Sequence, residues 1–156
     1  MNMTITGEIK VLVGPSKDVT QQVLIEGIRR GSGALMAEFL RGGLGQGPDK
    51  PVFMGEFKLV RPSIDGEIDP QAFSVEEKTA VLKLWESVKQ QVNECNFVIL
   101  DGIGEAISSG LIPRSAVLDL ILQKPARVDV LLTGSTMPNS IKALASEIRK
   151  LGEGAK

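Results

Sequence analysis

Ile9-Lys-Val-Leu-Val13-Gly14-Pro15-Ser16-Lys17-Asp18-Val19-Thr20 is the stretch on which the reading of this chain turns. An apolar strand runs into a glycine turn, and an amphipathic segment follows. That is the setting of a phosphate-binding loop, whose motif passes from a first glycine, through a second glycine and a lysine, to serine or threonine. Gly14 opens the stretch and Thr20 closes it. The two residues ahead of Thr20, where the motif has glycine and lysine, are Asp18 and Val19. In an intact loop the glycines let backbone N–H groups turn onto phosphate oxygens, and the lysine bridges the outer phosphates. Pro15 removes one such N–H. Asp18 adds a negative charge where phosphates would sit; at ~4 Å this repels by about 1 kcal/mol in water, and by several at lower dielectric. Lys17 has a long stem that compensates in part, and Thr20 keeps a hydroxyl that can reach magnesium. Three readings stay open: a degenerate loop that binds triphosphate poorly, a modified site that still binds, and an ordinary strand–helix turn.

Outward from this stretch, strands and helices alternate. The pattern predicts a helix over 17–30 with Thr20, Val23, Leu24, Gly27 and Ile28 on its buried face. Residues 34–40 are almost wholly apolar, as in a strand covered on both sides. A glycine- and proline-rich loop spans 41–51, and a strand is expected over 57–61. Ser74 and Glu77 form a capping box for a helix reaching about residue 94, with Val81, Leu84, Trp85, Val88 and Val92 as its buried stripe. Residues 97–101 form the clearest strand. A short helix over 115–123 and a strand over 127–133 follow. A last helix is expected from Pro138, burying Ile141, Leu144, Ala145, Ile148 and Leu151 before Gly152 ends it. Such alternation implies crossover units, a mostly parallel sheet and a single domain over 1–156. Ligands bind at the carboxyl ends of the strands in such sheets, so the loops after Val13, Leu40, Leu100 and Leu132 are the candidates.

Each of these loops carries usable chemistry. Arg41 or Lys50 could meet an anion. Asp101, an acid ending a buried strand, either orients magnesium or caps the next turn. Thr133 and Ser135 could donate to phosphate or shape a turn. Leu44, Val52, Phe53 and Met54 are apolar in a region read as loop; they either form a contact surface, as in a homodimer, or fold back as a lid or core edge.

Composition narrows the chemistry. Among 156 residues there is no histidine and no tyrosine, and Cys95 is the single cysteine. Imidazole bases, histidine metal ligands and internal disulfides are excluded. Any metal would be a hard ion held by oxygens, such as magnesium. Cys95 is expected to pack in the core. A formal net charge of −1 offers no field for nucleic acid or an anionic membrane. No apolar run is long enough to span a bilayer, and no export signal is visible, so the expected location is cytoplasmic.

Taken together, the segments resemble the P-loop type of ATP-dependent corrinoid (cobalamin) adenosyltransferases. The resemblance rests on Glu38-Phe-Leu-Arg-Gly42, Val98-Ile-Leu-Asp-Gly102, Gly110-Leu-Ile-Pro113 with Val117-Leu118, Lys124-Pro125, Val128-Asp-Val-Leu-Leu-Thr-Gly-Ser135 and Pro138. It implies an α/β, three-layer P-loop NTPase-like (RecA-like) fold, with a mostly parallel sheet between helices. It also implies ATP with magnesium and a corrinoid as ligands, the adenosyl group passing to reduced cobalt. By resemblance Gly14, Lys17, Thr20, Arg41, Thr133 and Gly134 would line phosphate or nucleotide, and Thr20 and Asp101 would face magnesium. The departures are Asp18, Val19, Gly102 (an acid in the family pattern) and Ser135 (an arginine there). Each removes a group that would touch nucleotide, phosphate or metal. The expectation is a member with impaired catalysis that acts as a binding or regulatory module. The alternatives are an active, rewired adenosyltransferase and a protein-interaction module.

Overall fold

Residues 7–43 and 47–152 are described by a computed structural model. In chain order the elements are β1 (Ile9–Val13), α1 (Ser16–Arg30), β2 (Ala34–Glu38), β3 (Val52–Met54), β4 (Phe57–Val60) and α2 (Val75–Gln91). A 3₁₀ turn over Val92–Glu94 follows, then β5 (Phe97–Asp101), α3 (Ile103–Ser108), α4 (Arg114–Gln123), β6 (Asp129–Gly134), α5 (Asn139–Lys142) and β7 (Glu147–Lys150). The strands form one sheet in the order β3-β4-β2-β5-β6-β1-β7. Among the named strands of the described residues the β3–β4 pairing alone is antiparallel.

Successive side chains of a strand point to opposite faces, and here the apolar runs fill both. Val11, Leu35, Ala37, Val98, Leu100, Val130 and Leu132 join one core with residues of α2, α3, α4 and α5. Leu12, Ala34, Met36, Phe97, Ile99 and Leu131 join a second core with Val19 and Val23 of α1. The architecture is therefore three-layered, as expected.

The capping box forms: Glu77 N–H donates to Ser74 Oγ at 3.0 Å, and Ser74 N–H donates to Glu77 Oε1 at 2.8 Å. Val81, Leu84, Trp85 and Val88 are fully buried along α2, each worth roughly 1.5–3 kcal/mol by area removed from water. Trp85 tilts on Phe39 at 6.0 Å between centroids, which fixes the chain where β2 turns into the Leu40–Arg41 loop.

Four expectations need correction. The buried face of α1 is Val19, Val23 and Gly27. Ile28 is 52% exposed, because the helix starts at Ser16 and the i, i+4 row through Val19 is the one that meets the sheet. Residues 52–54 are a strand hydrogen-bonded to β4 and not a loop. Val52 and Met54 pack on the second core, while Phe53 is exposed; Leu44 lies outside the described residues. Residues 103–108 form α3, which periodicity did not reveal. The last helix is one turn long. The chain then extends as β7 beside β1, where the unpaired N–H and C=O groups of β1 supply a ladder that a helix would leave unmet. All of β7 is exposed.

Candidate functional site

The carboxyl ends of β1, β2 and β5, with the loop after β4, surround a cleft of about 620 Å³. That volume lies in the range of small-molecule sites. Its walls include Lys17 and Thr20 from α1, Leu40 and Arg41 after β2, Ile68 and Pro70 after β4, and Asp101 and Gly102 after β5. Three of the four loops singled out by strand polarity are therefore assembled here. The loop after β6 reaches the cleft through its neighbours: Ser135 N–H donates to Glu105 Oε2 at 3.0 Å.

The phosphate-loop stretch folds as a tight turn. β1 ends at Val13 and α1 begins at Ser16, so only Gly14 and Pro15 connect them. Val19 N–H already donates to Pro15 C=O at 3.0 Å, which is helical bonding. Asp18 falls in the first turn of α1, where a carboxylate favourably meets the positive end of the helix dipole. An anion bound at that end would have to share the position with it. Val19 is 2% exposed in the second core. The position that carries lysine in the motif thus faces the sheet and not the cleft. Leu151 and Gly152 lie against the turn. Leu151 N–H donates to Val13 C=O at 2.8 Å, and a Cβ on Gly14 would come within 3.0 Å of Leu151 Cβ.

Asp101 sits at the centre of a hydroxyl network. Thr20 Oγ1 donates to Asp101 Oδ2 at 2.9 Å, and Thr133 Oγ1 donates to Oδ1 at 2.7 Å. The Thr133 hydroxyl in turn accepts from Gly102 N–H at 2.9 Å. Burial pushes the Asp101 carboxyl up to about 6. The hydrogen bonds from Thr133 and Thr20 oppose the rise, and the nearby Glu38 and Glu105 carboxylates add to it. The Thr133 hydroxyl hydrogen is committed to Asp101, so Thr133 holds this carboxylate in place. Gly134 packs against α3: a Cβ there would press on Gly104 Cα, Glu105 Oε1 and Thr136 O.

Arg41 is brought to the cleft with acidic company. Its guanidinium lies 3.9 Å from Glu38 and 3.9 Å from Glu67. Glu38 is buried and also accepts from Arg61 Nε at 2.6 Å. Glu38, Arg61, Glu67 and Glu105 were not singled out from sequence. The one available signal was a glutamate closing the apolar run at 34–38. The cleft is lined by five carboxylates (Asp18, Glu38, Glu67, Asp101 and Glu105) against two cations, Lys17 and Arg41. Lys17 forms no ion pair among the described residues.

The charge of these groups is unfavourable to a triphosphate, while Thr20 and Asp101 are of the type that holds magnesium. Five carboxylates against two cations in the lining oppose a polyanion. Magnesium normally takes one or two carboxylates together with substrate phosphates. Thr20 and Asp101 supply one carboxylate and one hydroxyl. No group of three or more acidic, cysteine or histidine side chains is placed to hold a metal among the described residues. Cys95 is buried, and burial raises its thiol above the usual range, so it is an unreactive core residue. No helix among the described residues is long and apolar enough to cross a membrane.

Comparison with curated protein sequences gives no match. The family model for ATP:corrinoid adenosyltransferase BtuR/CobO/CobP matches residues 6–153. That span contains both cores, the cleft and every strand of the sheet, and the chain belongs to the ATP:corrinoid adenosyltransferase family.

Proposed function

We propose that this chain is a member of the family that has lost efficient turnover of MgATP and works as a binding or regulatory module. One observation carries this reading: the phosphate stretch is a two-residue turn, with Asp18 at the helix N-terminus and Val19 in the core. Phosphate-directed, charge-assisted hydrogen bonds are worth ~1.5–3 kcal/mol each, so losing the lysine lowers triphosphate affinity by roughly ten- to a hundredfold. The cleft keeps its volume and an apolar wall from Leu24, Leu40, Ile68 and Pro70. Those features favour a ligand without a triphosphate, with the corrinoid as the first candidate and a smaller nucleotide as the second. Thr133 and Thr20 act as positioning residues for Asp101.

The test is calorimetry with MgATP and, separately, with a corrinoid, followed by an adenosyl-transfer assay on reduced corrinoid. The expected result is no heat from MgATP up to millimolar concentration and no transfer. Transfer at ordinary enzyme rates would overturn the reading.

A second reading, a rewired active adenosyltransferase, is favoured by one feature: Lys17 stands at the cleft on the first turn of α1 without an ion-pair partner among the described residues. In that case Lys17→Ala abolishes turnover. Full activity without Lys17 would remove the rewiring.

A further inference from the structure

The sheet face that carries α1 is covered only in part. α1 is the one helix, among the described residues, that joins the second core, and it lies chiefly over β2 and β5. The sheet continues past it through β6 and β1 to β7. Lys10 and Leu12 of β1 alternate onto this face, and the register sets Glu147 and Arg149 of β7 beside them. Between this strip and the flank of α1 lies a second cavity of about 310 Å³, at the lower end of the range for small-molecule sites. It shares no lining residue with the cleft. Gln22, Val23 and Glu26 of α1 line the second cavity, whereas Thr20, Gln21 and Leu24 line the cleft.

The floor of this cavity is apolar. Leu12, Val23, Phe97 and Leu131 line it, and all four are buried members of the second core. The rim is charged, and its ion pairs sort the cations. Lys10 stands 3.2 Å from Glu8 and 3.7 Å from Glu147. Arg30 donates to Glu26 and to Asp129, and its guanidinium lies 4.1 Å from the centroid of the Phe97 ring. Arg29 donates to Glu26 as well. Of the four lining cations, Arg149 is the one that forms no ion pair among the described residues.

We propose that this cavity is a second ligand site, which takes a small organic carboxylate: one negative charge on an apolar body. The floor favours the body, because apolar surface leaves water on entering. Arg149 presents a planar fork of N–H donors that matches a carboxylate with two parallel hydrogen bonds. The other three cations already have acidic partners, so the rim neutralises one added charge. A second negative charge would meet Glu26 and Glu147 on the same rim and be repelled. The cleft, with five carboxylates against two cations, is the opposite environment. The second site is therefore independent of whether the cleft holds MgATP.

The experiment titrates the full chain with naphthylacetate, read by backbone amide NMR and by calorimetry. Amide shifts are expected at Leu12, Glu26 and Arg149, with Lys17 and Arg41 unmoved. Naphthylacetamide has the same body without the charge, and naphthyl phosphate carries a second charge. Each should bind about tenfold or more weakly than the carboxylate. Arg149→Gln, at an exposed position, should lower naphthylacetate to the affinity of the amide and leave the amide unchanged, with circular dichroism confirming the fold. Arg149→Lys should restore only part, because it keeps the charge and loses the fork. No binding at millimolar naphthylacetate overturns the proposal, as do shifts confined to the cleft. Equal affinity for acid and amide, or an Arg149→Gln variant that binds like the wild type, also overturns it. Tighter binding of naphthyl phosphate would overturn the assignment to a carboxylate.

Discussion

The Thr20 hydroxyl donates to the Asp101 carboxylate at 2.9 Å, although 81 residues separate them in the chain. The contact joins the first turns of α1 to the carboxyl end of β5. With Thr133 on the other oxygen, the acid at the cleft floor is held by two hydroxyls from two different elements. The network keeps a carboxylate in a position where burial disfavours its charge, and that tension is measurable.

Asp101→Asn should change how stability depends on pH. The folded-state carboxyl is raised from 3.8 to about 6, so the folded protein binds the proton more tightly than the unfolded chain. Stability therefore falls as pH rises from about 4 to about 6 and stays lowered above that window. The asparagine variant lacks this titration. The stability difference between variant and wild type should shift in favour of the variant by on the order of 2 kcal/mol across the window. Urea denaturation at pH 4 and pH 7 reads it. A difference that does not change with pH would mean that Asp101 is not buried as described.

Writing the phosphate motif back should fail. In the double variant Asp18→Gly/Val19→Lys the new lysine starts from a position in the second core. Burying an unpaired ammonium among apolar side chains should cost roughly 2–5 kcal/mol. MgATP affinity should not rise, because the turn still has only two residues. A stable double variant that binds MgATP tightly in calorimetry would contradict the register of α1.

Arg61→Ala should be among the most damaging changes outside the apolar core. It leaves Glu38, which is almost fully buried, with the Arg41 guanidinium at 3.9 Å as its remaining cation. Breaking a buried pair from one side costs roughly 3–5 kcal/mol. Adding Glu38→Gln should recover a large part of the loss, and a double-mutant cycle in denaturant measures the coupling.

Gly27→Ala tests the packing of α1 on β4. Alanine is the better helix former by about 1 kcal/mol. A Cβ at Gly27, however, would overlap the ring of Phe57, which is itself fully buried. Overpacking of this kind costs about 1–3 kcal/mol, so a net loss in thermal stability is expected. Phe57→Leu in the same chain should return part of it.

Much of the fold was legible in the chain. The apolar runs at 34–38 and 97–101 read as strands because a parallel sheet covered on both faces has no polar side to mark. The capping box at Ser74 and Glu77 marked the start of α2, since its hydrogen bonds are local. The stretch at 139–152 was read as helix because Ile141, Leu144, Ala145, Ile148 and Leu151 keep helical spacing. What overrode the spacing was the open edge of β1, which no local pattern reports. The cleft was legible in part. Asp101, Thr20 and Lys17 could be named from their places at strand ends and in the stretch after β1. Glu38 and Arg61 could not, because a buried ion pair between two strand ends is visible only once those ends are adjacent.

The sequence by itself determined the layered α/β plan and the family, because periodicity, capping and motif spacing are properties of neighbouring residues. Tertiary structure alone decided that the Val19 side chain enters the core, that Asp101 is shared by two hydroxyls, and that β7 is an open edge with alternating charge. Each of these depends on which distant segment lies alongside. That is set by burial and by backbone hydrogen bonding summed over the whole sheet, which no single stretch of the chain contains.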